Sequence, residues 1–103
     1  MKHILENDLS ECSDKECYLL FYFTAKWCGP CQKIKPLLEK LSEGSDPSKL
    51  EFYMIDIDDN DKIASEFKIR SVPSFHLYHK KELQGQTGGA DITKVQELLK
   101  KMI

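Results

Sequence analysis

The chain has 103 residues, 41% hydrophobic and 31% charged, which suits one water-soluble globular domain and leaves no room for two. A formal charge of −2, from 15 Lys and Arg against 17 Asp and Glu, argues against nucleic acid or an anionic membrane surface as a partner. The longest apolar run, Cys17 to Phe23, is too short to span a bilayer and is wrongly placed and flanked for a signal peptide. With no targeting segment visible, a reducing compartment is expected, where a cysteine pair is catalytic or metal-binding rather than a structural staple.

In chain order, Lys2 to Leu5 is expected to form a short edge strand, and the polar stretch Asp8 to Lys15 a short helix or turn. Cys17 to Thr24 is aromatic and Leu-rich without alternation, the pattern of a strand buried on both faces. Pro30 to Glu43 reads as a helix with Ile34, Leu37, Leu38 and Leu41 inward and Lys33, Lys35, Glu39, Lys40 and Glu43 outward. Pro30 suits its first turn, Pro36 should kink it, and Gly44 should stop it. Leu50 to Ile57 reads as a second buried strand. Asp59 to Phe67 reads as a short helix, capped by Asp59 or Asn60, with Ile63, Ala64 and Phe67 inward. Ser71-Val72-Pro73 breaks the chain. Ser74 to Tyr78 and Glu82 to Gln86 read as strands joined around Lys80-Lys81, a turn with no glycine to reveal its type. Thr87-Gly88-Gly89 reads as loop. Asp91 to Met102 reads as a final helix with Ile92, Val95, Leu98, Leu99 and Met102 inward. The expected fold is α/β: a mixed sheet of about five strands, parallel at first and closed by an antiparallel hairpin, with about four helices on its two faces.

The chemistry concentrates at Trp27-Cys28-Gly29-Pro30-Cys31, where a buried strand gives way to a helix. Unsatisfied N–H groups and the partial positive charge of a helix N-terminus favour an anion, so Cys28 should ionise below the ordinary thiol pKa of about 8.5. Cys31 follows one turn later, within disulfide reach and more deeply buried. Cys28 is therefore the expected nucleophile on a substrate disulfide, and Cys31 the resolving thiol that frees the reduced product. A zinc site made of Cys12, Cys17, Cys28 and Cys31 is the competing reading; the helix-starting proline and the buried strand favour redox chemistry. Asp56, Asp58, Asp59, Asn60 and Asp61 do not make a calcium loop, because Asp61 and Phe67 stand where Gly and Glu are needed. His76 and His79 read as packing or surface residues on opposite faces of a strand, and Cys12 and Cys17 as ordinary thiols or an oxidation-sensing pair.

The motif Trp27-Cys28-Gly29-Pro30-Cys31 resembles the active site of the thioredoxin family. The resemblance runs over nearly the whole chain: Phe23 to Cys31, the helix proline Pro36, Ile57-Asp58, Val72-Pro73 and Gly89-Ala90. It implies the thioredoxin fold, protein-disulfide reductase activity and a cis bond before Pro73. It further implies a flat apolar substrate surface from Trp27, Gly29, Pro30, Val72, Pro73 and Gly89, with the Val72 backbone pairing with an extended substrate. Asp58 is implied as the partner of the Trp27 indole. The implied protein is a cytoplasmic monomer that binds no cofactor or metal, acts on protein disulfides and is re-reduced by a thioredoxin reductase-type partner. Two positions depart from the family pattern. Tyr22 stands where the family has a buried Asp, six residues before the first Cys, and Met54 where bacterial members have a Lys. Tyr22 cannot accept a proton near neutral pH, but its hydroxyl is within the set of groups able to bond Cys31. The alternatives to a reductase are a disulfide oxidase or isomerase, which uses other residues between the thiols, and a docking module with weak turnover.

Overall fold

Six consecutive buried residues, Leu19 to Thr24, make β2 (Tyr18–Thr24) the middle of a sheet in the structure, a computed structural model that describes residues 2–3 and 16–102. The helix or turn expected over Asp8 to Lys15, and the outer end of the first strand, lie outside those residues. Five strands are described, in the spatial order β1-β3-β2-β4-β5: β1 (Lys2–His3), β2, β3 (Leu50–Asp56), β4 (Ser74–His79) and β5 (Glu82–Gly88). β3 runs parallel to both β1 and β2, whereas β4 is antiparallel to β2 and to β5. Three helices, α1 (Gly29–Glu43), α2 (Asp61–Glu66) and α3 (Ile92–Leu99), complete the described α/β fold. Among the described residues no helix is long and apolar enough to cross a membrane.

Side chains alternate across a strand, so β2 feeds two cores at once. Leu20 and Tyr22 join Met54, Phe75, Leu77, Val95 and the inner residues of α1 on one face. Leu19, Phe21 and Phe23 join Tyr53, Ile55 and Ile63 under α2 on the other. Each fully buried large side chain is worth roughly 1.5–3 kcal/mol relative to exposure, which is why this strand specifies the sheet so strongly.

The helices differ from expectation in their margins. In α1, Cys31, Ile34 and Leu38 are buried, but Leu37 is 46% exposed. Consecutive helical residues point about 100° apart, so with Leu38 inward Leu37 falls outside the stripe. Gly44 ends α1 in the right-handed region at φ −83°, donating to the Lys40 carbonyl, so its left-handed freedom is unused. The α2 helix is shorter than expected. Asn60 takes the N-cap position, yet its amide donates to the Asp56 carbonyl at 3.0 Å instead of capping the helix, and Ala64 and Phe67 are half-buried. α2 stops in a Schellman turn, with Lys68 left-handed at φ 55° and the Ile69 N–H reaching the Ala64 carbonyl at 2.9 Å. The β4–β5 turn also uses lysines: Lys80 and Lys81 sit at φ 51° and 69°, the signs of a type I′ hairpin. β5 extends through Thr87 and Gly88, which were expected in a loop. α3 spans Ile92–Leu99 within the expected range, capped by Asp91, whose Oδ1 accepts the Thr93 N–H at 3.0 Å. Val95 and Leu98 are its buried residues, with Ile92, Leu99 and Met102 at the core margin. α3 approaches β5 at Gly85, where a Cβ would sit 2.8 Å from Leu98 Cδ1.

Candidate active site

The cysteine pair is held where β2 hands the chain to α1. After Thr24 the buried Ala25 turns the backbone, and its carbonyl accepts both the Cys28 N–H at 3.2 Å and the Gln32 side-chain amide at 2.9 Å. Cys28 is the N-cap residue of α1, extended at φ −88° and ψ 104°, and its Sγ accepts the Cys31 N–H at 3.2 Å. A sulfur therefore stands where Ser or Asp usually caps a helix, facing one of its orphan donors. The first turn of α1 carries no acidic residue, so nothing there offsets the positive end of the helix. Cys28 and Cys31 are joined as a disulfide with Cα atoms 5.3 Å apart. Cys31 is fully buried and Cys28 nearly so, at 4% exposure.

Opposite the thiols lies the chain break. The Val72–Pro73 bond is cis, as the resemblance implied, and the Val72 carbonyl oxygen is 3.7 Å from Cys28 Sγ. The Pro73 carbonyl accepts the Gly89 N–H at 3.1 Å, and Gly89 is left-handed at φ 90°, a conformation that favours glycine. Trp27, Gly29, Pro30 and Gly89 are exposed at this end, Val72 is half-buried and Pro73 is buried, so Pro73 shapes the rim from beneath. The Trp27 indole, 69% exposed, donates to Asp58 Oδ2 at 2.9 Å. Of the other acids, Asp56 ends β3 with its Oδ1 accepting the Asp58 N–H at 2.9 Å, and Asp61 opens α2.

Behind the pair, Tyr22 is buried and its hydroxyl donates to the Cys31 carbonyl oxygen at 2.6 Å. The bond reaches the backbone of Cys31, not its sulfur. The Tyr22 ring stacks on Phe75 with centroids 5.3 Å apart, and Met54 is its cross-strand neighbour. Burial pushes the phenol above its ordinary pKa of 10.0, the nearby Thr24 hydroxyl opposing more weakly. Thr24 and Gln32 did not stand out in the sequence. Thr24 lies two residues beyond Tyr22, hence on the same face of β2, which strand alternation alone would have revealed. Its Oγ1 is buried without a hydrogen-bond partner among the described residues. Gln32 carried no signal, because its role depends on a carbonyl in the preceding loop.

The other candidates lie elsewhere. His76 is packed on the α2 side with Phe23, ring centroids 5.2 Å apart, so the sheet separates it from the thiols. His79 stacks on Tyr18 at 4.1 Å, at the far end of β2. Cys17 precedes that same end, about 20 Å of strand from Cys28, too far for one zinc ion to bind both. Cys12 lies outside the described residues.

The thioredoxin family model matches residues 4–102. A mitochondrial thioredoxin O of rice is 40% identical over 86 residues, covering 81% of this chain and 48% of the rice protein. Pig thioredoxin is 31% identical over 102 residues, covering 99% of this chain and 93% of its own. The chain spans about half the length of the plant mitochondrial relatives it matches. Among solved structures, the thioredoxin of Fasciola hepatica superposes with a TM-score of 0.91 at 27% identity over the full length of both chains. A Schistosoma mansoni thioredoxin pre-protein superposes at 0.87 with 33% identity, covering 100% of this chain and 95% of its own.

Proposed function

The chain belongs to the thioredoxin family, and on that premise we propose that it is a protein-disulfide reductase that works through Cys28 and Cys31. The observation that carries this reading is the placement of Cys28 Sγ, which caps α1, accepts the Cys31 N–H at 3.2 Å and faces the Val72 carbonyl. In the reduced protein, that N–H and the helix end stabilise a Cys28 thiolate. The thiolate attacks one sulfur of a substrate disulfide. The substrate S–S bond breaks, a mixed disulfide forms on Cys28, and the other substrate sulfur leaves as thiolate. An extended substrate segment lies against Trp27 and Pro30 and pairs with the Val72 backbone, which orients its sulfur toward Cys28. Cys31 then attacks Cys28 Sγ, closing the Cys28–Cys31 disulfide and releasing the second substrate sulfur. Two electrons have passed from the protein to the substrate.

The cycle needs an external donor of two electrons, and a thioredoxin reductase-type partner in a reducing compartment, the cytoplasm in our reading, fits that need. A monomer with no bound cofactor is sufficient for these steps. The test is reduction of insulin disulfides driven by dithiothreitol. The intact protein should accelerate insulin precipitation, and Cys28→Ser should not. Equal rates with and without the protein would favour a docking module. A strongly oxidising equilibrium of the Cys28–Cys31 couple against glutathione would favour an oxidase or isomerase.

A further inference from the structure

Among the described residues no carboxylate or amine is buried, and the buried imidazole of His76 lies with Phe23 on the other face of the sheet. The buried members of the core that encloses Cys31 are aliphatic, aromatic and sulfur-containing: Leu20, Met54, Phe75 and their neighbours, together with the two cysteines and Tyr22. Each packed element contributes the same chemistry. β4 brings Phe75 and Leu77, α3 brings Val95 and Leu98, and β3 brings Leu50, Phe52 and Met54. The next residue on that face of β3 is the half-buried Asp56, whose Oδ1 accepts the Asp58 N–H. On α1 itself, Lys33 is exposed and Lys35 half-buried, outside the inner stripe. On β2 the polar groups near the thiols are the Tyr22 phenol and the Thr24 hydroxyl, Tyr18 standing at the far end of the strand against His79, and neither of the two takes up a proton near neutral pH. The Tyr22 O–H is already committed to the Cys31 carbonyl at 2.6 Å, in the first turn of α1.

We propose that Tyr22 is a positioning residue for the resolving step: its hydroxyl holds Cys31 through the main-chain carbonyl, and Cys31 yields its own proton to solvent without a buried base. The proposal rests on the reading that Cys28 attacks and Cys31 resolves. The Cys31 S–H bond breaks and its proton goes to water. The Cys31 sulfur bonds Cys28 Sγ as the Cys28–substrate S–S bond breaks, and the departing substrate thiolate takes a proton from water. Holding the attacking sulfur at short range raises its effective concentration, so the clamp acts on rate and on equilibrium together. The direction of the Tyr22 shift agrees, because burial keeps the phenol protonated and donating throughout the working pH range.

Stopped-flow reaction of the reduced protein with 5,5′-dithiobis(2-nitrobenzoate) tests this. Attack by Cys28 releases one thionitrobenzoate, and resolution by Cys31 releases a second. The second phase is unimolecular, so its independence of reagent concentration separates it from reaction at Cys12 and Cys17. Tyr22→Phe, which keeps the ring on Phe75, should leave the first phase unchanged. It should slow the second about three- to tenfold, the range of a typical hydrogen bond. The pH midpoint of the second phase should not move. The thiol–disulfide equilibrium against glutathione should weaken by a similar factor, which a loss of global stability alone would not produce. Asp56→Asn, which keeps an acceptor for the Asp58 N–H, should alter neither phase. An unchanged second phase in Tyr22→Phe, a shifted pH midpoint in that variant, or loss of the pH dependence in Asp56→Asn would each overturn the proposal. If the unaltered protein shows no first phase, the Cys28 reading fails and takes this proposal with it. A normal first phase with an unaffected second phase in Tyr22→Phe sinks the proposal alone.

Discussion

The two faces of the sheet are made by the same strands and built on opposite plans. The α1/α3 face carries the disulfide, and from outside the pair the Tyr22 hydroxyl bonds its backbone at the Cys31 carbonyl. The α2 face carries an aromatic cluster in which Phe21, Phe23, Phe67, His76 and Tyr78 touch edge to face or at a tilt. On the first face a reactive group is surrounded by inert ones. On the second a titratable group, His76, is buried with its Nδ1 unpartnered among the described residues and takes no part in the thiol site. The contrast teaches that burial of a polar group does not by itself mark function: the sheet divides a domain this small into one face for chemistry and one for stability.

Substitutions can break that division or sharpen it. The largest stability effect should come from Phe21→Ala on the aromatic face, which removes a side chain 2% exposed and should cost about 3–5 kcal/mol by urea unfolding. Below the unfolding transition, its thiol–disulfide equilibrium against glutathione should match that of the unaltered protein. A changed equilibrium would show the two faces to be coupled. Gly85→Ala acts on the thiol face, where the new methyl meets Leu98 and Lys101 side-chain atoms. Pushing α3 away should cost about 1–3 kcal/mol. A neutral result would mean that α3 seats loosely.

A pH scan probes the aromatic face directly. Burial holds the His76 pKa below its ordinary 6.5, so the folded chain keeps this imidazole neutral. An unfolded chain takes up a proton there as pH falls below about 6.5. The contribution of His76 to stability is therefore fully present above that value. It is lost as pH falls toward the depressed native pKa. His76→Gln should flatten the fall in urea midpoint between pH 7 and pH 5; an unchanged slope would assign the fall to other groups. The smallest effect should come from Lys68→Gly at the end of α2, which relieves a left-handed non-glycine residue at φ 55°. A gain of up to about 1 kcal/mol is expected, visible as a rise in Tm with turnover untouched.

Much of the fold was legible because its signals are local. The unbroken apolar run of β2, the helical spacing of Ile34 and Leu38, and the Pro30 start of α1 each act within a few residues. The front of the site was legible for the same reason, since Cys28 becomes an N-cap wherever a strand meets a helix at that motif. The misses have physical causes. Leu37 looked inward because helical periodicity leaves the edge of a stripe undecided until a partner surface arrives. Gly44 stops α1 as expected, but the left-handed residues Lys68, Lys80 and Lys81 carried no sequence mark, because tertiary contacts can offset about 1–2 kcal/mol of backbone cost. Asn60 has the right residue type for a helix cap, but its Nδ2 donates back to the Asp56 carbonyl and its Oδ1 meets no helix N–H.

By itself, then, the sequence determined the elements, the cysteine chemistry at the head of α1 and the family resemblance, all of them properties of short stretches. Only the tertiary structure decided the strand order, the 3.7 Å approach of Val72 to Cys28 and the bond from Tyr22 to the Cys31 carbonyl. Those are contacts between residues far apart in the chain. They exist because burying both faces of β2 brings its neighbours together, and no local pattern encodes which atom then meets which.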